Sequence, residues 1–181
     1  LLQVTPTNLG QVLTALEGEE IAFRALFDRA SDTIEQFKDL VRWTARRNLA
    51  QFNRFRLARR AWNKAFCHQC FTNVGLPTPP TIVIPSHAEQ PHLPPVDMLL
   101  LGSTFCIKPA HGGGGRGVIL RASSWEQILQ ARLDYPNDQY LLQASITPAE
   151  IECRPAWFRV LYCTGEIYPC WWDTCTHIYT P

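Results

Sequence analysis

Between Lys108 and Val118 the chain reads Lys-Pro-Ala-His-Gly-Gly-Gly-Gly-Arg-Gly-Val, which places five of its ten glycines within six positions. Glycine loses the most backbone entropy on ordering and contributes no side-chain packing, so such a run is costly as ordinary structure. It marks backbone that something else approaches closely. Successive bare N–H groups with Lys108 and Arg116 beside them suit a polyphosphate. A flexible surface hairpin without a ligand is the alternative reading.

The flanking segments separate the known phosphate loops. Gly112, Gly114 and Gly117 satisfy the dinucleotide pattern G-x-G-x-x-G, which requires a strand before and a helix after. Here Val118, Ile119 and Leu120 follow, apolar and mostly β-branched, and they predict a second strand. No Gly-Lys-Ser/Thr follows, so a P-loop is excluded. A protein-kinase flap also joins two strands, but its lysine lies on a later strand, whereas Lys108 precedes the glycines. What remains is a strand carrying a phosphate lysine, a flexible flap and a return strand.

Composition bounds the rest. With 181 residues, 46% of them apolar, the chain can build one domain or two small ones. It starts at Leu1 and stops at Pro181 directly after an apparent strand, and so reads as an excerpt of a longer protein. A net charge of +1 gives no overall pull toward nucleic acid or anionic membrane. The longest apolar runs, such as 98–101, are too short to span a bilayer, and no signal peptide is visible. Seven cysteines without regular spacing favour a reducing, cytoplasmic setting. Cys67 and Cys70 have C-x-x-C spacing but lack a second pair and fall in a helical stretch, so they read as buried helix thiols. Cys163, Cys170, Cys175 and His177 form a looser set, and no metal ligand is assigned.

Residues 9–16 have helical spacing, with Gly18 as breaker. Residues 21–27 predict a strand. Asp32 and Glu35 form a capping-box start, followed by Ile34, Phe37, Leu40, Val41 and Ala45 on one helical face. Residues 49–52 supply another strand, giving an open α/β unit. Arginines and Lys64 concentrate over 42–64 among aromatics. Without a nucleic-acid motif, they read as a solvated helix face with a few phosphate-facing cations. Residues 61–73 predict a helix ended at Gly75, 81–84 a strand, and 85–96 a stiff, polar, mobile connection in which His87 and His92 are solvated. Ser123 or Ser124 caps a helix to about Arg132, and 140–143 form a strand. Residues 158–163 and 167–172 predict a hairpin turning at Thr164-Gly165, with Trp157, Trp171 and Trp172 packing a sheet core, the first reading, or lining a pocket.

In this order, the pieces resemble the ATP-grasp superfamily, which includes glutathione synthetase and D-alanine:D-alanine ligase. Asn63-Lys64 opening a helix, then Val74-Gly75-Leu76-Pro77-Thr78-Pro79 and a strand, resembles the family's first lysine and the start of its small subdomain. Ile107-Lys108-Pro109 with 112–118 resembles the second lysine and the glycine flap. Residues 141–146 resemble the hinge strand that receives adenine. The resemblance implies an α/β (α+β) protein of partial ATP-grasp fold: a preceding open α/β domain over 1–60, a nucleotide-clamping subdomain over 61–142, and the start of a C-terminal subdomain over 143–181. It implies ATP and Mg2+ as cofactors, with Lys64 and Lys108 on the phosphates and Gly113, Gly114, Gly115, Arg116 and Gly117 closing over them. Gln143, Ala144 and Ile146 would contact adenine, Glu150 or Glu152 the ribose, and Arg159 an acyl phosphate or a structural salt bridge.

The implied activity is that of an ATP-dependent ligase joining an unidentified carboxylate to an amine or thiol, with neither nucleic acid nor membrane as partner. Two departures qualify it. Trp157 stands where many relatives have an aspartate, and the family's metal-binding carboxylates and asparagine lie downstream of such a hairpin, beyond Pro181. These residues alone would then bind nucleotide without turnover. A non-catalytic or regulatory nucleotide-binding module is the alternative.

Overall fold

The computed structural model describes residues 1–31, 34–163 and 165–180. Helix α1 (Leu9–Glu17) is followed by strand β1 (Ala25–Phe27), helix α2 (Phe37–Arg46) and strand β2 (Ala50–Phe52), with β1 and β2 paired in parallel. This is one β-α-β unit. Leu9, Val12 and Leu16 of α1 pack with Phe37, Leu40 and Trp43 of α2 to make its core. The strand expected over 21–27 is confined to three residues. On α2 the buried face takes in Trp43 and Thr44, while Ala45, expected on it, is exposed. Trp43 occupies the place instead by lying against Phe23 and under Arg47. The proposed cap at Asp32 lies outside the described residues.

The single helix expected over 61–73 is two. Helix α3 (Phe55–Trp62) ends at Asn63, whose backbone is extended, and α4 (Lys64–Asn73) begins there. The Asn63 side chain accepts from the Phe66 N–H at 2.9 Å, an N-cap that satisfies one of the orphan donors of the new helix. At the other end Gly75 adopts φ +74°. Its N–H reaches the Thr72 carbonyl at 3.0 Å and that of Leu76 reaches Phe71 at 2.9 Å, a Schellman stop that only glycine takes without strain.

Four antiparallel strands follow: β3 (Thr81–Ile84), β4 (Phe105–Pro109), β5 (Ile119–Ala122) and β6 (Tyr140–Ala144), in the order β3-β6-β4-β5. The glycines join two strands, as expected. Helix α5 (Trp125–Asp134) intervenes, started by a capping box in which Ser124 and Gln127 satisfy each other's backbone N–H. Side chains alternate along a strand, so each strand has two environments. Ile84, Phe105, Ile107, Ala122, Tyr140 and Leu142 face α5 and bury with Ile128 and Ala131. Thr81, Cys106, Lys108, Leu141 and Gln143 take the opposite face, where Leu141 packs on Ala65 of α4 and on Ala110.

The connection after β3, expected to be mobile, is fastened. Arg132 of α5 is fully buried and donates to the carbonyls of Pro85 at 3.2 Å, Ser86 at 2.9 Å and Gln90 at 2.7 Å. Leu93 and Val96 of the same segment pack against the sheet core. Tyr140, also buried, donates its hydroxyl to the Ala131 carbonyl.

Beyond Ala144 the ribbon β7 (Glu150–Ile151) and β8 (Arg154–Pro155) precedes a second antiparallel sheet of β9 (Phe158–Cys163), β10 (Glu166–Trp172) and β11 (Tyr179–Thr180). The predicted core role of Trp157, Trp171 and Trp172 is corrected here. Among the described residues from 145 to 180 none is buried, and the three tryptophans are only half-buried. A hairpin sheet whose two faces are both open gives its aromatics nothing to pack against except one another and their cross-strand neighbours. Of the predicted turn, Thr164 lies outside the described residues, and Gly165 takes φ +98°.

Candidate functional site

Two elements distant in sequence meet at Ala110. Its N–H donates to the Gln139 carbonyl at 2.7 Å, and its own carbonyl accepts from the Lys64 backbone N–H at 2.8 Å. The start of α4 is thereby stitched to the start of the flap. The Lys64 ammonium lies along the same backbone, donating to the carbonyls of Gly112 at 2.8 Å and Pro109 at 3.2 Å. Lys108 points from the open face of β4 and donates to Gln143 Oε1 at 2.6 Å. Lysine can only donate, so this bond fixes which way the Gln143 amide faces. Gln143 Nε2 then donates to Thr81 Oγ1 at 2.8 Å, and Thr81 donates onward to the Pro79 carbonyl at 2.8 Å. Three strands thus hold one ammonium group in place.

The two lysines feel each other. The pKa of Lys64 is lowered, first by burial and next by the charge of Lys108, and only partly restored by Asp138. Asp138 is committed elsewhere. Its carboxylate accepts from the His111 N–H at 2.8 Å and contacts His111 Nδ1 at 2.8 Å. Two ammonium groups gathered with no carboxylate bound to either among the described residues make a place where a polyanion is favoured.

The flap divides into a free part and an anchored one. Gly112, Gly114 and Gly115 have φ of +96°, +62° and +74°, and a Cβ on any of Gly112–Gly115 would meet nothing within 4 Å. At Gly117, φ +71°, a Cβ would lie 2.6 Å from the Tyr135 ring and 3.2 Å from Pro109 Cγ. Consecutive residues of mixed backbone hand turn their N–H groups toward one side, an arrangement suited to phosphate oxygens. Arg116 is exposed on this flap.

The other residues singled out by sequence are placed differently. Ala144 ends β6, and its N–H is taken by the Pro80 carbonyl at 2.9 Å. Ile146 is exposed in the following loop, and Glu150 and Glu152 are exposed at the β7–β8 ribbon. Arg159 belongs to the second sheet. Its guanidinium stacks 5.3 Å from the Trp172 ring and 4.9 Å from that of Tyr179, and it makes no ion pair among the described residues.

Cys67 contacts the Ala61 carbonyl at 3.2 Å, and burial raises its pKa, which describes a half-buried helix thiol. Asp173 accepts from the N–H groups of Cys175 and Thr176 and from the Thr176 hydroxyl, which lower its pKa. No group of three or more metal-ligating side chains occurs among the described residues. Sequence reasoning missed Thr81, Asp138 and Tyr135. Their partners are set by sheet register and helix packing, and no local pattern marks them.

A cavity of about 960 Å³ lies in the N-terminal unit and is lined mainly by apolar groups such as Val12, Phe23, Leu26 and Phe37. It has no convergent cations and stands apart from the lysines. No protein-family model matches the chain, and no curated protein matches it. Solved structures similar to it include a D-alanine-D-alanine ligase from Helicobacter pylori, at 11% identity and a TM-score of 0.44, covering 77% of this chain and 41% of that one. A D-alanyl-alanine synthetase A from Vibrio cholerae is 14% identical with a TM-score of 0.49, over 74% and 41%. The D-cycloserine synthetase DcsG is 17% identical with a TM-score of 0.46, over 68% and 44%. The chain spans less than half the length of each.

Proposed function

We propose that this chain is the nucleotide-binding part of an ATP-dependent ligase of ATP-grasp type, one that joins a carboxylate to an amine or thiol through an acyl phosphate. A single observation carries the reading: Lys64 and Lys108, 44 positions apart in the sequence, converge beside a glycine flap strung between two strands. In this reading 1–60 is a preceding α/β domain, 61–142 clamps the nucleotide and 143–181 opens the catalytic subdomain.

The donor set fits the phosphates of ATP. Lys108 is oriented by Gln143 and Thr81, and Lys64 by the carbonyls of Pro109 and Gly112. Both act as positioned charges against a phosphate tail. The Arg116 N–H is turned back to the Gly113 carbonyl at 3.3 Å, so the N–H groups of Gly113, Gly114, Gly115 and Gly117 close over that tail, with the Arg116 side chain adding charge and Gly117 as the anchored end. Gln143, whose two amide ends are used by Lys108 and Thr81, orients the lysine. Adenine is left to the main chain of 144–146 and ribose to Glu150, with Arg159 serving the reacting group. ATP brings the γ-phosphoryl group that activates a carboxylate, and Mg2+ is its usual companion. The described residues offer no carboxylate cluster to hold that ion. Trp157 at the approach to β9, where many relatives have an aspartate, favours a second reading, a nucleotide-binding module without turnover.

Calorimetric titration of the protein with Mg-ATP tests the nucleotide assignment. Wild type binds and Lys108→Ala binds far more weakly; equal affinity, or no binding by wild type, refutes it. An amine- and carboxylate-dependent release of phosphate separates the ligase from the silent binder.

A further inference from the structure

A second cationic feature borders the lysine site. Helix α3 has no buried residue, yet it carries Arg56, Arg59 and Arg60 into a cavity of about 390 Å³. The far walls are Asn63 and Phe66 at the start of α4 and His111 at the root of the flap. No acidic side chain lines it, although from behind the lining the Asp138 carboxylate contacts His111 Nδ1 at 2.8 Å. Among the described residues none of the three arginines makes an ion pair. The Arg59 guanidinium lies 5.9 Å from the Phe55 ring and that of Arg60 lies 5.9 Å from the Phe66 ring. Both lie at the outer reach of a cation–π contact, and a guanidinium fork can meet an oxyanion with two N–H groups at a time.

The position matters as much as the charge. Asn63 is followed in the chain by Lys64, and His111 by Gly112, whose carbonyl accepts from the Lys64 ammonium. The cavity therefore opens beside the place assigned to the phosphate tail. From this geometry we infer an oxyanion-binding subsite, formed by Arg56, Arg59 and Arg60 with His111, that holds an anionic group of the ligase's acidic substrate next to the reacting phosphate. Three unpaired cations suit a dianion better than a single carboxylate. The substrate class is a small molecule that keeps a second carboxylate or a phosphate besides the carboxylate it activates. Its role rests on the proposed ligase function; the subsite itself does not.

Proton–nitrogen NMR titration of the full chain, reading backbone and arginine side-chain signals, tests the inference with inorganic phosphate and glutarate as probes. At least one probe binds wild type, shifting α3 and His111 signals. The double variant Arg59→Gln/Arg60→Gln weakens it about tenfold or more, while Lys108→Ala changes it less than about twofold. The probe bound more tightly tells phosphate from dicarboxylate. Gln keeps helix propensity on an exposed helix, and unchanged circular dichroism verifies the fold. The inference is overturned if neither probe binds, if the double variant binds the probes like wild type, or if Mg-ATP displaces the probe. It is also overturned if a single-stranded oligonucleotide binds more tightly than either probe and depends on the same arginines. Arginine-dependent probe binding in a protein that fails to bind Mg-ATP would keep the subsite and remove the nucleotide assignment.

Discussion

Replacing Gln143 by glutamate separates what holds Lys108 from what Lys108 does. In the native protein a neutral amide oxygen takes the ammonium at 2.6 Å, leaving its full charge available to a ligand. A carboxylate of the same shape strengthens that bond and cancels the charge. The loss on the other side is modest, because Thr81 Oγ1, which now accepts from Gln143 Nε2 at 2.8 Å, must give up its own bond to Pro79 to donate instead. Losing one such bond costs about 1 kcal/mol, comparable to the gain, so the thermal midpoint stays nearly unchanged. Binding does not. A phosphate oxygen beside Lys108 would lie about 5 Å from the new carboxylate. With an effective dielectric of about 20–40, their repulsion is about 1.5–3 kcal/mol, roughly 10- to 150-fold in the Kd for Mg-ATP. Calorimetry with melting curves reads both quantities. If Gln143→Glu binds Mg-ATP as tightly as wild type, Lys108 is not a phosphate contact.

Other substitutions probe the frame around the site. Gly117→Ala combines a left-handed backbone with overlap against Tyr135 and Pro109 and is expected to cost about 2–4 kcal/mol in urea unfolding; Gly114→Ala, with open space around it, costs about 1 kcal/mol. Equal costs would show that Tyr135 does not anchor the flap. Arg132→Met keeps side-chain bulk but abandons three carbonyls of the 85–90 segment, and loses about 3 kcal/mol, with proteolysis appearing between β3 and β4. An unchanged proteolytic pattern counts against that fastening. Tyr140 has its pKa pushed up to about 12, first by burial and then by the charges of Asp134 and Asp138. The unfolded chain releases this proton near the ordinary tyrosine value of 10.0 while the folded chain retains it, so its contribution is complete below that pH and is lost as pH rises toward about 12. Tyr140→Phe should flatten this alkaline limb in unfolding measurements; an unaltered limb assigns it to other groups.

Local chemistry made much of the frame legible in the sequence. β-Branched residues at 81–84, Ser124 before a helical period and glycines between two apolar runs, the first carrying Lys108, each specify their own backbone within a few positions, and these elements stand where expected. Patterns that depend on a partner misled. The tryptophans of 157–172 look like core residues by type, but burial requires an opposing layer, and the second sheet has none among the described residues. Hydrophobic periodicity also ran straight through Asn63, where a side-chain cap ends one helix and starts another.

The glycine flap and its upstream lysine were determined by sequence alone, because adjacent residues fix the order of strand, loop and strand. Only the tertiary structure decided that Lys64 shares the flap's root, that Gln143 and Thr81 from two other strands hold Lys108, and that the α3 arginines open onto the same corner. Those meetings join residues 35 to 62 positions apart. They follow from strand register and from the packing of α4 on Leu141, which no local window of sequence contains.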